Sequence, residues 1–319
     1  MLAGNPAFLT RLKRGLRAGH KKGWDSFAWI SKILIPTSFL VTLLQWSGLL
    51  DQVAPHLNPL MGAINLPGEA ALPIISGMLI NLYATIAIIT VIPFTLGQKT
   101  LIAIFNMICH NLIIEGIIQH KSGINAAKIN LIRFASAILA VLIVSQFFTG
   151  TTQSVVMPDT MTVHVPFLVL LKTWAIDTAW LLLKILIIIL PIMLGLESAK
   201  SLGWIEYLVR FFQPLMRILG LSYRTAMLWV VGAIFGLMYG GAVIIEEARG
   251  KPLTKDELEH LHISVGINHS MIEDPALFIV LGLNGFWLWV PRFITAIVAV
   301  QVYRGTVILR QKPSWRRTA

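Results

Sequence analysis

Eight apolar runs, at about 27–50, 70–94, 100–118, 129–149, 165–197, 225–246, 261–283 and 287–309, follow one another along the chain, with charge gathered in the stretches between them. Most approach the roughly 20 residues that a helix needs to cross a bilayer. The pattern predicts an all-α polytopic membrane protein. Residues 1–24 precede the first run and carry Arg11, Lys13, Arg14, Arg17, Lys21 and Lys22. The run after them is too long for the core of a cleavable signal peptide. The arm is therefore expected to stay on the protein, on the cytoplasmic side, as an interfacial helix.

Laid over itself at an offset of 155, the chain matches Pro36 to Pro191, Gly48 to Gly203, Asp51 to Glu206, Pro59-Leu60-Met61 to Pro214-Leu215-Met216, Leu66 to Leu221, Ala71 to Ala226 and Gly77 to Gly232. After a four-residue insertion the offset is 159, and His110 falls on His269, Glu115 on Asp274 and Arg133-Phe134 on Arg292-Phe293. Prolines, glycines, histidines and arginines in one register point to duplication. The expected organisation is a basic arm (1–24), a four-segment repeat (25–149), a connection (150–172), a second repeat (173–309) and a basic tail (310–319).

Composition agrees with the pattern. Of 319 residues 56% are hydrophobic and 13% charged, against about 25% charged in soluble proteins. Mean hydropathy is +0.74. The net charge of +11 sits mostly in tails and loops, which is how orientation signals are distributed, so nucleic acid is not an expected partner. Basic residues place the arm, the 119–133 loop (Lys121, Lys128, Arg133), the 198–224 linker (Lys200, Arg210, Arg217, Arg224) and the tail inside, and the 150–172 connection outside. Both termini are then cytoplasmic, in a bacterial inner membrane. Repeat one would run from inside to outside and repeat two the reverse, so the repeats are inverted, each crosses an odd number of times, and one segment per repeat must enter and leave on one side. This arrangement puts the 247–260 loop outside although it carries Arg249, Lys251 and Lys255. Eight full crossings with parallel repeats would instead put the 198–224 linker outside.

Chemistry concentrates in two matching stretches, Ile108-Cys-His-Asn-Leu-Ile-Ile-Glu115 and Ile267-Asn-His-Ser-Met-Ile-Glu-Asp274. Ionisable groups in lipid are costly, so a recurring histidine and acid are the first place to look for function, with hydrogen bonding between packed helices as the plainer reading. The candidates are His110, Asn111, Glu115, Asn268, His269, Glu273 and Asp274, with Glu69, Asn81 and Tyr239 from other segments. His110 and His269 are the ligands if a metal binds. These two segments are also the expected broken or re-entrant helices. Asp274-Pro275 suits a helix start, and Glu115-Gly116 would loosen the first copy at the same place. In a continuous helix His110 and Glu115 would face about 140° apart, whereas His269 and Glu273 would share a face. Gly232, Gly236 and Gly240 read as a close-packing face of one helix, Glu69 as favouring a helix N-terminus, and Asp274 equally as a cap. The single Cys109 excludes an internal disulfide framework and a cysteine-rich metal cluster. Met and Trp show no period, and no cofactor is expected.

Leu66-Pro-Gly-Glu-Ala-Ala-Leu72, Gly77, Asn81-Leu-Tyr-Ala84 and His110-Asn-Leu-Ile-Ile-Glu115 together resemble the nucleoside-recognition, or Gate, family. Similar domains occur in concentrative nucleoside transporters, in the membrane part of bacterial ferrous-iron transporters and in the spore maturation proteins A and B. Both halves look like Gate units. The second diverges at Ser222-Tyr223-Arg224, which stands where Pro67-Gly68-Glu69 stands in the first. No P-loop is present, so the GTPase part of the iron transporters is missing from this chain.

The resemblance and the residues leave two expectations. One is a transporter or permease for a small polar solute or ion, with its site between the repeats near the bilayer midplane. The other is a non-transporting membrane scaffold of the spore-maturation type. An enzyme is not expected, since neither HExxH nor GxSxG occurs. Lipid is an expected partner, and assembly with further copies of the chain is left open.

Overall fold

The computed structural model describes residues 6–153, 166–219, 221–250 and 253–311. Most of the 150–172 connection, nearly all of the tail and the Tyr239 side chain lie outside the described residues. Among those described, the chain is helical with no strand. Five segments are long and apolar enough to cross a membrane: Ala7–Trp46, Leu96–Lys121, Ala126–Ser145, Phe167–Ser201 and Gly285–Leu309. Large apolar side chains stay exposed on their outer faces, among them Leu40, Leu131, Leu168, Trp180, Ile187 and Val302.

Helix α1 (Pro6–Trp46) carries the basic arm without interruption into the first apolar run, so the arm forms no separate helix. It packs antiparallel along α8 (Phe167–Ser201): the Phe39 and Trp174 rings lie 4.9 Å apart, and Lys22 pairs with Glu197 at 2.5 Å. α2 (Leu49–Gly62) and α9 (Ile205–Ile218) are short, and α9 carries charge on an otherwise apolar helix.

The second apolar run does not form one long helix. After a 3-10 turn at Gly68–Ala70 it forms α3 (Ala71–Leu79) and α4 (Leu82–Val91), turning at Asn81. Thr85 Oγ1 donates to Pro73 O at 3.0 Å, twelve residues upstream, a separation that an uninterrupted helix would stretch to about 18 Å. The two arms therefore fold back on each other. With 9 and 10 residues, each spans about 14 Å, roughly half of a hydrocarbon core.

α10 (Tyr223–Gly250) repeats the device. Its turn is Gly236, at φ 77° and ψ 166°, a conformation essentially confined to glycine. Gly232 and Gly240 then meet across the fold: a Cβ on Gly240 would sit 2.6 Å from Gly232 Cα. The three glycines are not a stripe on one helix, as their spacing suggested, but a turn and the two faces it brings together.

The histidine segments are broken but run on through the molecule. α5 (Leu96–Cys109) and α6 (Leu112–Lys121) pack in sequence along α7 (Ala126–Ser145), from Phe105 on Phe134, through Ile108 and His110 on Arg133, to Leu112 on Asn130. α11 (Lys255–Asn268) and α12 (Glu273–Ile279) do the same along α13 (Gly285–Gln311), from Glu259 on Tyr303 to Met271 on Trp289. The segment that folds back in each half is thus the one before the histidine segment. An apolar run of hairpin length looks like a span when only its length is read.

Contacts sort the helix ends into two sets. At one end Ser201 Oγ donates to Arg11 O, Gln301 reaches Ile218 O, and Lys128, Glu259 and Tyr303 bond to one another. At the other, Gln98 Nε2 donates to Thr151 O and Gln153 O, and Phe147 and Phe148 pack on Trp287. Glu259 puts the end of the 247–260 loop beside Lys128, at the start of α7. Arg133, counted among the loop cations, is instead fully buried.

Candidate functional site

Each broken helix is built from the same local signals. α5 opens on a capping box of Thr95 and Gln98, and α11 on one of Thr254 and Glu257. Each ends at a histidine in extended conformation: His110 at φ −94°, ψ 167° and His269 at φ −76°, ψ 163°. The next residue is left-handed in both, Asn111 at φ 56° and Ser270 at φ 49°. The helix therefore stops at the histidine, five or six residues before the positions that proline and glycine had suggested. Asn tolerates the left-handed region better than most residues, which is the one signal the sequence offers there.

A break inside an apolar core strands backbone groups, and two arginines take up the carbonyls. Arg133 donates from Nε to Ile108 O and from Nη2 to His110 O, both at 3.0 Å. Arg292 donates from Nε to Ile267 O at 3.0 Å and from Nη2 to His269 O at 2.9 Å. The hairpins take up the amides. Asn111 N donates to Gly77 O at 3.0 Å, and Met271 N donates to Ala233 O at 2.6 Å. Each break is thus tied to the hairpin ahead of it and to an arginine behind it.

The two breaks meet. His110 Nε2 and His269 Nε2 are 3.0 Å apart, with ring centroids at 4.6 Å. His110 Nδ1 bonds Asn106 O at 2.8 Å, and His269 Nδ1 bonds Gly266 O at 3.1 Å and Val265 O at 3.2 Å. The acids come crosswise: Glu115 Oε1 is 3.4 Å from His269 Nε2, and Asp274 Oδ2 is 3.9 Å from His110 Nε2. Glu115 also pairs with Arg133, Oε2 to Nη1, at 2.6 Å. All six of these side chains, Arg292 included, are buried. Gly266 leaves room for the Arg133 stem, which a Cβ there would meet at 2.9 Å.

The other candidates fall elsewhere. Glu273 does not share a face with His269; the break separates them, and Tyr83 Oη donates to its Oε1 at 2.8 Å. Asn81 caps α4, accepting from Ala84 N at 3.1 Å. Glu69 is buried in the 3-10 turn that leads into α3. Asn268 ends α11, buried, with neither amide atom bonded among the described residues, and the Asn111 Oδ1 is likewise unbonded. Reading the sequence for site residues missed Arg133, Arg292 and Tyr83, although two arginines in register within apolar runs carry the same signal as the histidines. Two cavities, of about 530 Å³ and 950 Å³, are lined by none of His110, His269, Glu115 and Asp274. All four of these side chains are buried in this structure.

The description of the family named Gate, nucleoside recognition, matches residues 27–158 and 182–284, well over half of the chain. The chain belongs to the Gate family. The matched stretches of this Gate protein contain both histidines and both crosswise acids, while Arg292 lies just beyond them. It is similar to an uncharacterized membrane protein, YvoD, of Bacillus subtilis, at 29% identity over 295 residues, 92% of this chain and 93% of that protein. No solved structure matches the chain.

Proposed function

We propose that this Gate-family membrane protein is a transporter that moves a small polar solute or ion through a site between two inverted repeats. One observation carries the reading: two broken helices meet at His110 and His269, 3.0 Å apart in the buried core, each break tied to a hairpin. Broken helices and unsatisfied polar groups at membrane depth are tolerated where they line a path or site, and paired breaks in two halves favour alternating access around it. Counting the broken α11–α12 segment with the five long spans, each half would have three crossings and one hairpin, the odd number that inversion requires. The Lys128, Glu259 and Tyr303 cluster supports the same orientation, because it joins the start of α11 to the start of α7, beside the loop that carries Lys121 and Lys128. The termini are then cytoplasmic, in the bacterial inner membrane.

The scaffold reading also has an observation behind it. Arg133 and Glu115 pair with each other in the core, as groups that only hold helices together would. Reconstituted protein separates the two. His110→Ala and His269→Ala are expected to abolish solute uptake, or ligand-induced stabilisation, with melting nearly unchanged. Variants that melt early by about 0.6 kcal/mol or more, with no ligand found for the parent, would establish the scaffold.

A further inference from the structure

We propose that His110, His269 and Asp274, with Glu115 beside them, bind one divalent transition-metal ion. The argument begins at the ring nitrogens that face away from the site. Both Nδ1 atoms point at backbone carbonyl oxygens, which only accept, so both carry the proton. In the neutral rings each Nε2 then presents a lone pair, and the two lone pairs face each other across 3.0 Å. Glu115 Oε1 at 3.4 Å and Asp274 Oδ2 at 3.9 Å add further electron-rich atoms at the same point. Arg133 compensates Glu115, donating from Nη2 to its Oε1 at 3.1 Å, but the two lone pairs and the Asp274 oxygen repel without a cation between them. Both arginines also reach the surrounding carbonyls, and neither guanidinium bonds an imidazole nitrogen.

The spacing suits a metal. Two nitrogens held about 2.1 Å from one ion lie ~3.0 Å apart at right angles and ~3.4 Å apart in a tetrahedron. One ligand atom from each of His110, His269 and Asp274 falls within 4.8 Å of the others, so a small adjustment closes all three on one ion. A proton shared by the rings would relieve the nitrogens but leave Asp274 Oδ2, which is buried and has no hydrogen-bond partner among the described residues. Histidines that donate their other nitrogen to a backbone carbonyl are also oriented as metal-bound histidines are. Imidazole with carboxylate, and no thiolate, favours ions such as Zn²⁺, Co²⁺, Fe²⁺ or Mn²⁺ over Cu⁺, and over Mg²⁺, which prefers oxygen alone.

The inference deepens the transport reading by naming the ion class its site takes, and rests on that reading only for the claim that the ion moves. Tag-free protein in detergent is titrated with Co²⁺ and followed by visible absorption and calorimetry. The expected result is one Co²⁺ per chain, displaced by Zn²⁺ and not by excess Mg²⁺, with X-ray absorption showing two imidazole ligands. His110→Ala, His269→Ala and Asp274→Asn should each weaken it about tenfold or more, and His56→Ala, at an exposed histidine, should not. The X-ray measurement on the parent stands even if a variant fails to fold. No binding, binding that survives both histidine variants, or a cobalt shell of oxygen alone overturns the metal site. Uptake of other solutes by protein that binds no metal would leave the transport reading standing, whereas tight metal binding with no uptake of any solute would remove transport alone.

Discussion

The two halves of the site share a backbone and differ in how its charges close. In the first, Glu115 reaches Arg133 at 2.6 Å, and the pair also covers the carbonyls of Ile108 and His110. In the second, Arg292 covers Ile267 and His269 in the same way, but among the described residues no carboxylate lies within ion-pair distance of it. Asp274 is one methylene shorter than Glu115 and turns toward His110. The comparison separates two tasks that a buried charge can have. The first half is closed and braces the break, while the second keeps an acid free to act on something else.

The contrast is broken most directly by removing each arginine. Arg133→Leu strands the buried Glu115 carboxylate as well as two carbonyls, and is expected to cost about 3–5 kcal/mol. Arg292→Leu strands the carbonyls and an acid that was already unpaired, and should cost about 1–3 kcal/mol. Melting of the purified variants decides it. Equal losses would mean that the Arg133–Glu115 pair contributes nothing beyond the carbonyl contacts.

The hairpin tips offer a second contrast between the halves. Gly236→Ala forces a side chain into a conformation that glycine alone adopts readily, and its Cβ would meet Ser270 Oγ at 2.7 Å. A loss of about 3 kcal/mol is expected. Asn81→Ala, at the corresponding turn, loses only the cap on Ala84 N from an extended residue, about 1 kcal/mol. Because the Gly236 hairpin holds the second break through Ala233, Gly236→Ala should also disturb the histidine pair, read as a change in the His269 ring resonances by NMR.

How much of this was legible in the sequence differs from feature to feature, for physical reasons. The membrane class follows from composition, and the site histidines and acids stand out because lipid makes such groups costly. The matched capping boxes at Thr95 and Thr254 follow the same offset of 159 as the histidines, and short-range pairs of this kind can be read from spacing. The hairpins could not be read that way. Ala71–Val91 is apolar throughout, and only the contact between Thr85 and Pro73 shows that it turns back. The crosswise pairing of each histidine with the other half's acid is equally invisible, since it depends on how two distant segments meet. Arg133 was misread because basic residues near helix ends usually mark loops. Its burial depends on Gly266, more than a hundred positions away, leaving room for its stem.

The smallest expected change in stability gives the sharpest test of the comparison. Asp274→Glu lengthens the free acid to match Glu115, and because both breaks hold their arginine alike, the new carboxylate should close on Arg292. Pairing a buried guanidinium nitrogen that has no partner stabilises the fold, by about 1 kcal/mol, so melting should rise slightly. Function should move the other way. A carboxylate drawn onto Arg292 leaves His110, and the space between the rings loses a ligand, so Co²⁺ affinity is expected to fall about tenfold. The reverse change, Glu115→Asp, should open the first half and lower melting without restoring an acid to His110. If Asp274→Glu melts no higher and binds as the parent does, the free acid in the second half is an accident of length, and the two halves are not assigned different tasks.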